Sequence, residues 1–106
     1  MKLGHNRREE QERIMVFQTT PNEVLFLNDS GGVEGRVHWT DPDKDGVVDI
    51  DTTYVSPSNR GLGMAGRLMG RAFANLKDAG SKVRPSCSYA KSWVDKHPEY
   101  QFMIES

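Results

Sequence analysis

The sequence predicts an α/β (α+β) domain: a meander of antiparallel strands, then one long helix and a short C-terminal one. Three observations carry this. In residues 33–39 and 48–54 apolar and polar side chains alternate, which is the period of a half-buried strand. From Ala65 to Ala79 the apolar positions recur every three or four residues, the period of an amphipathic helix. The change of period falls on a glycine-rich stretch, Gly61-Leu62-Gly63-Met64-Ala65-Gly66.

Taken in order, residues 7–13 are a mixed charge run with no apolar face. They are expected to be solvated, so that residues 1–12 form a lead-in and 13–106 a single domain. Ile14-Met15-Val16-Phe17 reads as a first strand closed by Thr20-Pro21-Asn22. Residues 23–28 read as a second, and Asp29-Ser30-Gly31-Gly32 as a turn. In the third strand Val33, Gly35, Val37 and Trp39 share one face, and Glu34, Arg36 and His38 the other. Asp41-Pro42-Asp43-Lys44-Asp45-Gly46 breaks the pattern, with Asp45-Gly46 as a hairpin signal. In the fourth strand Val48, Ile50, Thr52 and Tyr54 are expected on one face, and Asp49, Asp51 and Thr53 on the other. The long helix, about 16 residues, ends at Gly80 as a C-terminal cap. Residues 82–86 suit one more strand and residues 88–97 a short helix stopped by Pro98, with Tyr100 and Phe102 folding back as a hydrophobic tail.

Composition sets the outer limits. A chain of 106 residues supports one core. No apolar run approaches the roughly 20 residues that span a bilayer, and the first ten residues have no signal-peptide stretch. The single cysteine, Cys87, excludes an intrachain disulfide and a four-thiolate zinc site. The expectation is therefore a cytoplasmic protein with no membrane partner. Fourteen basic residues are offset by 15 acidic ones, which argues against nucleic acid as a partner. A monomer is the default for so small a domain.

Two motifs point to ligands. Asp41-x-Asp43-x-Asp45-Gly46 opens like a calcium loop, but its twelfth position is Thr52 rather than a bidentate glutamate, and strands flank it where helices are needed. An Asp-rich turn accounts for it without a metal. Gly61-Leu62-Gly63-Met64-Ala65-Gly66 is a literal G-x-G-x-x-G. A dinucleotide fold would require an acidic residue about 20 positions on, where Arg84, Pro85 and Ser86 stand. What survives is physical: glycines at a strand-to-helix junction let backbone N–H groups approach a phosphate, the helix dipole adds attraction, and Arg60 can reinforce the site. The bland alternative is a tight turn with close helix packing.

Read from Arg60, the stretch Arg60-Gly61-Leu62-Gly63-Met64-Ala65 fits [Gln/Arg]-x-x-Gly-x-[Gly/Ala] and resembles the coenzyme A loop of the GNAT (Gcn-related N-acetyltransferase) superfamily. Together with Thr53-Tyr54-Val55, Pro85-Ser86-Cys87-Ser88-Tyr89 and His97-Pro98-Glu99-Tyr100, it is similar to the small, single-domain YjdJ-type branch over roughly residues 23–100. The resemblance implies a minimal GNAT-like fold with a mixed, largely antiparallel sheet. It implies a V-shaped slot in which pantetheine pairs with Thr53, Tyr54 and Val55. The pyrophosphate would rest on Gly61, Leu62, Gly63, Met64, Ala65 and Gly66 beside Arg60.

The implied chemistry is acetyl transfer from acetyl-CoA directly to an amine, with no metal. A free alkyl ammonium has a pKa near 10, so a base or a desolvating pocket must help. The oxyanion needs a hydrogen-bond donor, and the departing thiolate benefits from a proton donor. The branch's pattern places Cys87 nearest the thioester, as proton donor or acyl carrier; a small half-buried hydrophobe is the alternative. Asp49, Asp51 and His38 are base candidates by chemistry, and Tyr54 and Tyr89 donor candidates with core or lid roles as alternatives. His97 suits a helix-capping role. The acceptor is a protein lysine, an N-terminus or a small amine. The rival reading is a CoA-binding module with little or no catalysis.

Overall fold

A computed structural model describes residues 16–105. The expected lead-in over 1–12, and Ile14 and Met15 of the expected first strand, lie outside the described residues. Five strands, β1 (Val16–Thr19), β2 (Glu23–Leu27), β3 (Val33–Trp39), β4 (Val47–Val55) and β5 (Lys82–Pro85), form one sheet in sequence order. The first four pair antiparallel and β5 runs parallel to β4. Between β4 and β5 the chain crosses over through α1 (Met64–Asp78), and α2 (Ser88–Asp95) follows β5.

Helix α1 buries Leu68, Met69, Ala72, Phe73 and Leu76 against Val24, Phe26, Val37, Trp39, Val48 and Ile50 of the sheet. Spacings of three and four put those side chains on one stripe, as the periodicity requires. The helix ends as expected. Gly80, at φ +75°, has its N–H bonded to Lys77 O, and Ser81 N–H bonds to Leu76 O; the pair satisfies carbonyls the last turn would leave orphaned. Helix α2 adds Trp93, whose ring lies 5.2 Å from that of Phe73 and stacks on it. The Asp-rich connection is a turn closed by Asp43, whose Oδ1 accepts the N–H groups of Asp45 and Val47.

Three details differ from the sequence reading. In β4 the faces exchange after Ile50. Trp39 opposes Ile50 whereas His38 opposes Thr52, so Asp51 is an inserted residue and the pleat restarts beyond it. Thr53 and Val55 therefore join the core side with Val48 and Ile50, while Thr52 and Tyr54 turn to the outer face. A second bulge, between Phe26 and Leu27 of the partner strand, inserts Glu34 and leaves Val33 46% exposed instead of buried with Gly35 and Val37. At the C-terminus Tyr100 packs on the core, but Phe102 is exposed. Met103 is buried in its place, because a 3-10 turn over Pro98–Met103 has a tighter repeat than a helix.

Candidate active site

The site begins where the sheet comes apart. Pairing of β4 with β5 runs from Val47 opposite Lys82 to Ile50 opposite Pro85. One further bond, Cys87 N–H to Ile50 O at 3.0 Å, closes the junction, and α2 then leads the chain away. Among the described residues, no strand pairs with residues 51–55 of β4 on that side. Ser56 N–H bonds to Glu34 O, which by alternation directs the backbone groups of Thr52 and Tyr54 toward β3 and those of Thr53 and Val55 toward the open side.

Across this slot the Thr53 Oγ1 and Cys87 Sγ lie 3.2 Å apart. A cavity of about 320 Å³ extends outward from them, lined by Thr53, Tyr54, Val55, Arg60, Ala65, Cys87, Ser88 and Tyr89. It continues into a smaller hollow of about 150 Å³ over the glycine loop, bordered by Arg60, Gly61, Gly63, Ala65 and Gly66. Burial raises the pKa of Tyr89, so its phenol keeps its proton and faces both cavities as a donor.

The loop is shaped for an anion. Gly61 and Gly63 have φ of +82° and +76°, and a Cβ on either would meet nothing within 4 Å. The glycines therefore serve backbone conformation and leave the space in front of the amides open. Gly63 is the N-cap of the 15-residue α1 and offers no side-chain cap, and no acidic residue stands in the first turn. The first-turn N–H groups lack intrahelical acceptors and carry the positive end of the dipole. Arg60 donates through Nε to Val55 O at 2.9 Å, which ties the loop to the end of β4.

The loop's approach is held by Glu34, the residue inserted at the second bulge. Its carboxylate accepts from Ser56 Oγ at 2.5 Å, Asn28 Nδ2 at 2.8 Å and Asn59 Nδ2 at 2.9 Å. The hydrogen bond from Ser56 is the largest cause of its lowered pKa. Neither Glu34 nor Asn59 belongs to the motifs. Only the turn-forming run Ser56-Pro57-Ser58-Asn59 ahead of the glycines could have hinted at this clamp.

A match to the family model of GCN5-related N-acetyl-transferases covers residues 24–103. The chain belongs to this family. Solved acetyltransferase-fold structures agree with the architecture. A GCN5-like protein from Staphylococcus aureus superposes with a TM-score of 0.67 at 21% identity, covering 88% of this chain and 90% of that one. The GNAT family protein YhbS of Escherichia coli, solved in complex with CoA, gives 0.54 at 26% identity, over 79% of this chain but 46% of its own. N-acetylglutamate synthase from Neisseria gonorrhoeae, complexed with coenzyme A and N-acetyl-glutamate, gives 0.57 at 15% identity over 91% of this chain and 25% of its own. This family member thus spans nearly the whole of one relative and less than half of the other two.

Most of the expected site residues of this acetyltransferase converge. Thr53, Tyr54, Val55, Arg60, Ala65, Cys87 and Tyr89 line one cavity, and Gly61, Gly63, Met64 and Gly66 border the next. Two do not converge. Leu62 is 67% exposed and lines neither cavity, although its backbone belongs to the loop. Asp51 lies on the outer face of the sheet, where its Oδ1 is 2.8 Å from His38 Nδ1; that hydrogen bond is the first cause of its lowered pKa. Asp49 is bonded to Ser86 Oγ, and His97 stacks on Trp93 at 3.7 Å. Among the described residues no helix is long and apolar enough to cross a membrane.

Proposed function

We propose that the protein binds acetyl-CoA along the slot and transfers its acetyl group to a primary amine. The observation that carries this is continuity. An unpaired strand edge at Thr53 and Val55 runs straight into an uncapped helix N-terminus behind Gly61 and Gly63. A ligand that suits both is a linear, amide-bearing chain ending in a pyrophosphate. Acetyl-CoA supplies a thioester carbonyl open to attack by an amine.

In this reading the backbone groups of Thr53 and the N–H of Val55, whose carbonyl already accepts from Arg60 Nε, pair with pantetheine amides, and the amides of residues 61–66 with Arg60 hold the pyrophosphate. A donor for charge developing on the carbonyl oxygen is available from the β4 backbone or from the Tyr89 phenol. Cys87, within reach of Thr53, is placed to return a proton to the departing thiolate, and Tyr54 stands at the mouth of the slot. The test is calorimetric titration with CoA, acetyl-CoA and NADH, followed by thiol release in the presence of amines. Binding of the first two but not NADH, with amine-dependent release, is the expected result. CoA binding without amine-dependent release would leave a binding module, and no CoA binding would overturn the reading.

A further inference from the structure

The turn ahead of the glycine loop is held from behind by Glu34. Ser56, buried just past β4, donates its N–H to Glu34 O at 2.8 Å and its hydroxyl to Glu34 Oε1 at 2.5 Å. Asn59, which closes the 3-10 turn Pro57–Asn59, donates through Nδ2 to the same Oε1 at 2.9 Å. Asn59 also borders the hollow over the loop, so one side chain stands between this carboxylate and the space proposed for the pyrophosphate.

The second carboxylate oxygen is anchored elsewhere. Glu34 Oε2 accepts from Asn28 Nδ2 at 2.8 Å. Asn28 cannot reverse its amide without losing two further bonds, because its Oδ1 accepts the N–H groups of Ser30 and Gly32 at 2.9 and 2.8 Å. Gly32 leaves room for this, since a Cβ there would lie 2.9 Å from Asn28 Nδ2. Glu34 thus spans two turns: the β2–β3 turn is the fixed end, and the approach to the glycine loop is the end it holds.

We propose that Glu34 is a positioning residue for the nucleotide end of the cosubstrate, latching the glycine loop in place so that CoA finds its phosphate site already formed; this rests on the acetyltransferase reading above. By charge alone a carboxylate beside an anion site opposes binding. What it contributes is position. Gly61 and Gly63, both at positive φ, give the loop more conformational freedom than other residues would. A ligand that needs one arrangement binds more weakly in proportion to the molecules that have left it. Charge and latch therefore predict opposite signs when Glu34 is removed. They also part over glutamine, which has lost the charge but can still span the two turns. Its Oε1 accepts from Asn28, and its Nε2 can donate to Asn59 Oδ1, which has no partner among the described residues.

The test compares Glu34→Ala with Glu34→Gln in calorimetric titrations with acetyl-CoA, beside acetyl-pantetheine binding read from amide shifts in ¹⁵N-labelled protein. Glu34→Ala should bind acetyl-CoA at least about tenfold more weakly, the worth of a hydrogen bond to a charged group. Glu34→Gln should recover most of that loss. Both variants should bind acetyl-pantetheine, which has no pyrophosphate, within about twofold of wild type, whereas a general loosening of the fold would weaken both ligands. Ser56→Ala removes the 2.5 Å bond without changing charge; it should weaken acetyl-CoA by at least about threefold and decides the matter if Glu34→Ala does not fold. Unchanged or tighter acetyl-CoA binding in Glu34→Ala overturns the latch, as do equal effects of alanine and glutamine or a parallel loss of both ligands. Wild-type protein that binds no acetyl-CoA overturns the acetyltransferase reading and the latch with it, so the two failures are told apart.

Discussion

Placing aspartate at the N-cap of α1 separates charge from shape at the proposed phosphate site. Gly63 sits at φ +76°, ψ 12° with nothing within 4 Å of an added Cβ, so a substituent meets strain but no clash. Asparagine tolerates this left-handed conformation better than most residues, and aspartate has the same shape with one added charge. The difference between Gly63→Asp and Gly63→Asn is therefore electrostatic. A carboxylate about 5 Å from a pyrophosphate of two charges costs about 1.7 kcal/mol at the dielectric of water, and about twice that if the site excludes half the screening. At 1.4 kcal/mol per tenfold, CoA should bind the aspartate variant about 15-fold to about 250-fold more weakly than the asparagine one. Calorimetric titration at low salt measures this, and the gap should shrink in 1 M salt, where the screening length falls to about 3 Å. Equal affinity of the two variants, within twofold, would refute a phosphate at this loop.

Further outcomes follow from the same geometry. Cys87→Ala should lower kcat while leaving CoA affinity within about twofold, because the thiol lies at the inner end of the slot, 3.2 Å from Thr53, away from the loop; pre-steady-state and steady-state thiol release distinguish this from a binding defect. Glu34, Asp43 and Asp51 all titrate below their ordinary values of 4.5, 3.8 and 3.8. Their contribution to stability is complete at neutral pH and is lost as the pH falls through those values toward the folded ones. Urea midpoints measured from pH 7 to pH 3 should show the decline, and Glu34→Gln should flatten it. Leu68→Ala empties a fully buried position beneath Gly35 and should cost about 2–5 kcal/mol, a fall in Tm of at least about 8 °C by thermal melting.

What the sequence disclosed and what it hid divide along a physical line. Signals written in neighbouring residues were readable. The three-and-four spacing gave α1, Gly80 its cap, Asp43 its turn, and Arg60 with the glycines their loop. Position across the sheet was not readable once a residue was inserted. Alternation of period two carries no mark of a bulge, so Asp51 and Glu34 were assigned to faces as if the pleat were unbroken. Both insertions fall at the site. One turns Tyr54 to the outer face and Thr53 to the slot, and the other hands a carboxylate to the turn before the loop.

The central claim is that the glycine loop holds the pyrophosphate of a CoA thioester whose pantetheine runs along β4. Comparing acetyl-CoA with acetyl-pantetheine by calorimetry tests it most directly, since the two share the thioester and the amides and differ in the phosphates and nucleotide. Acetyl-CoA is expected to bind at least about 100-fold more tightly, a difference of about 2.8 kcal/mol, and Gly63→Asp to erase most of that advantage. Equal affinity for the two ligands, or an advantage that survives Gly63→Asp intact, would contradict it.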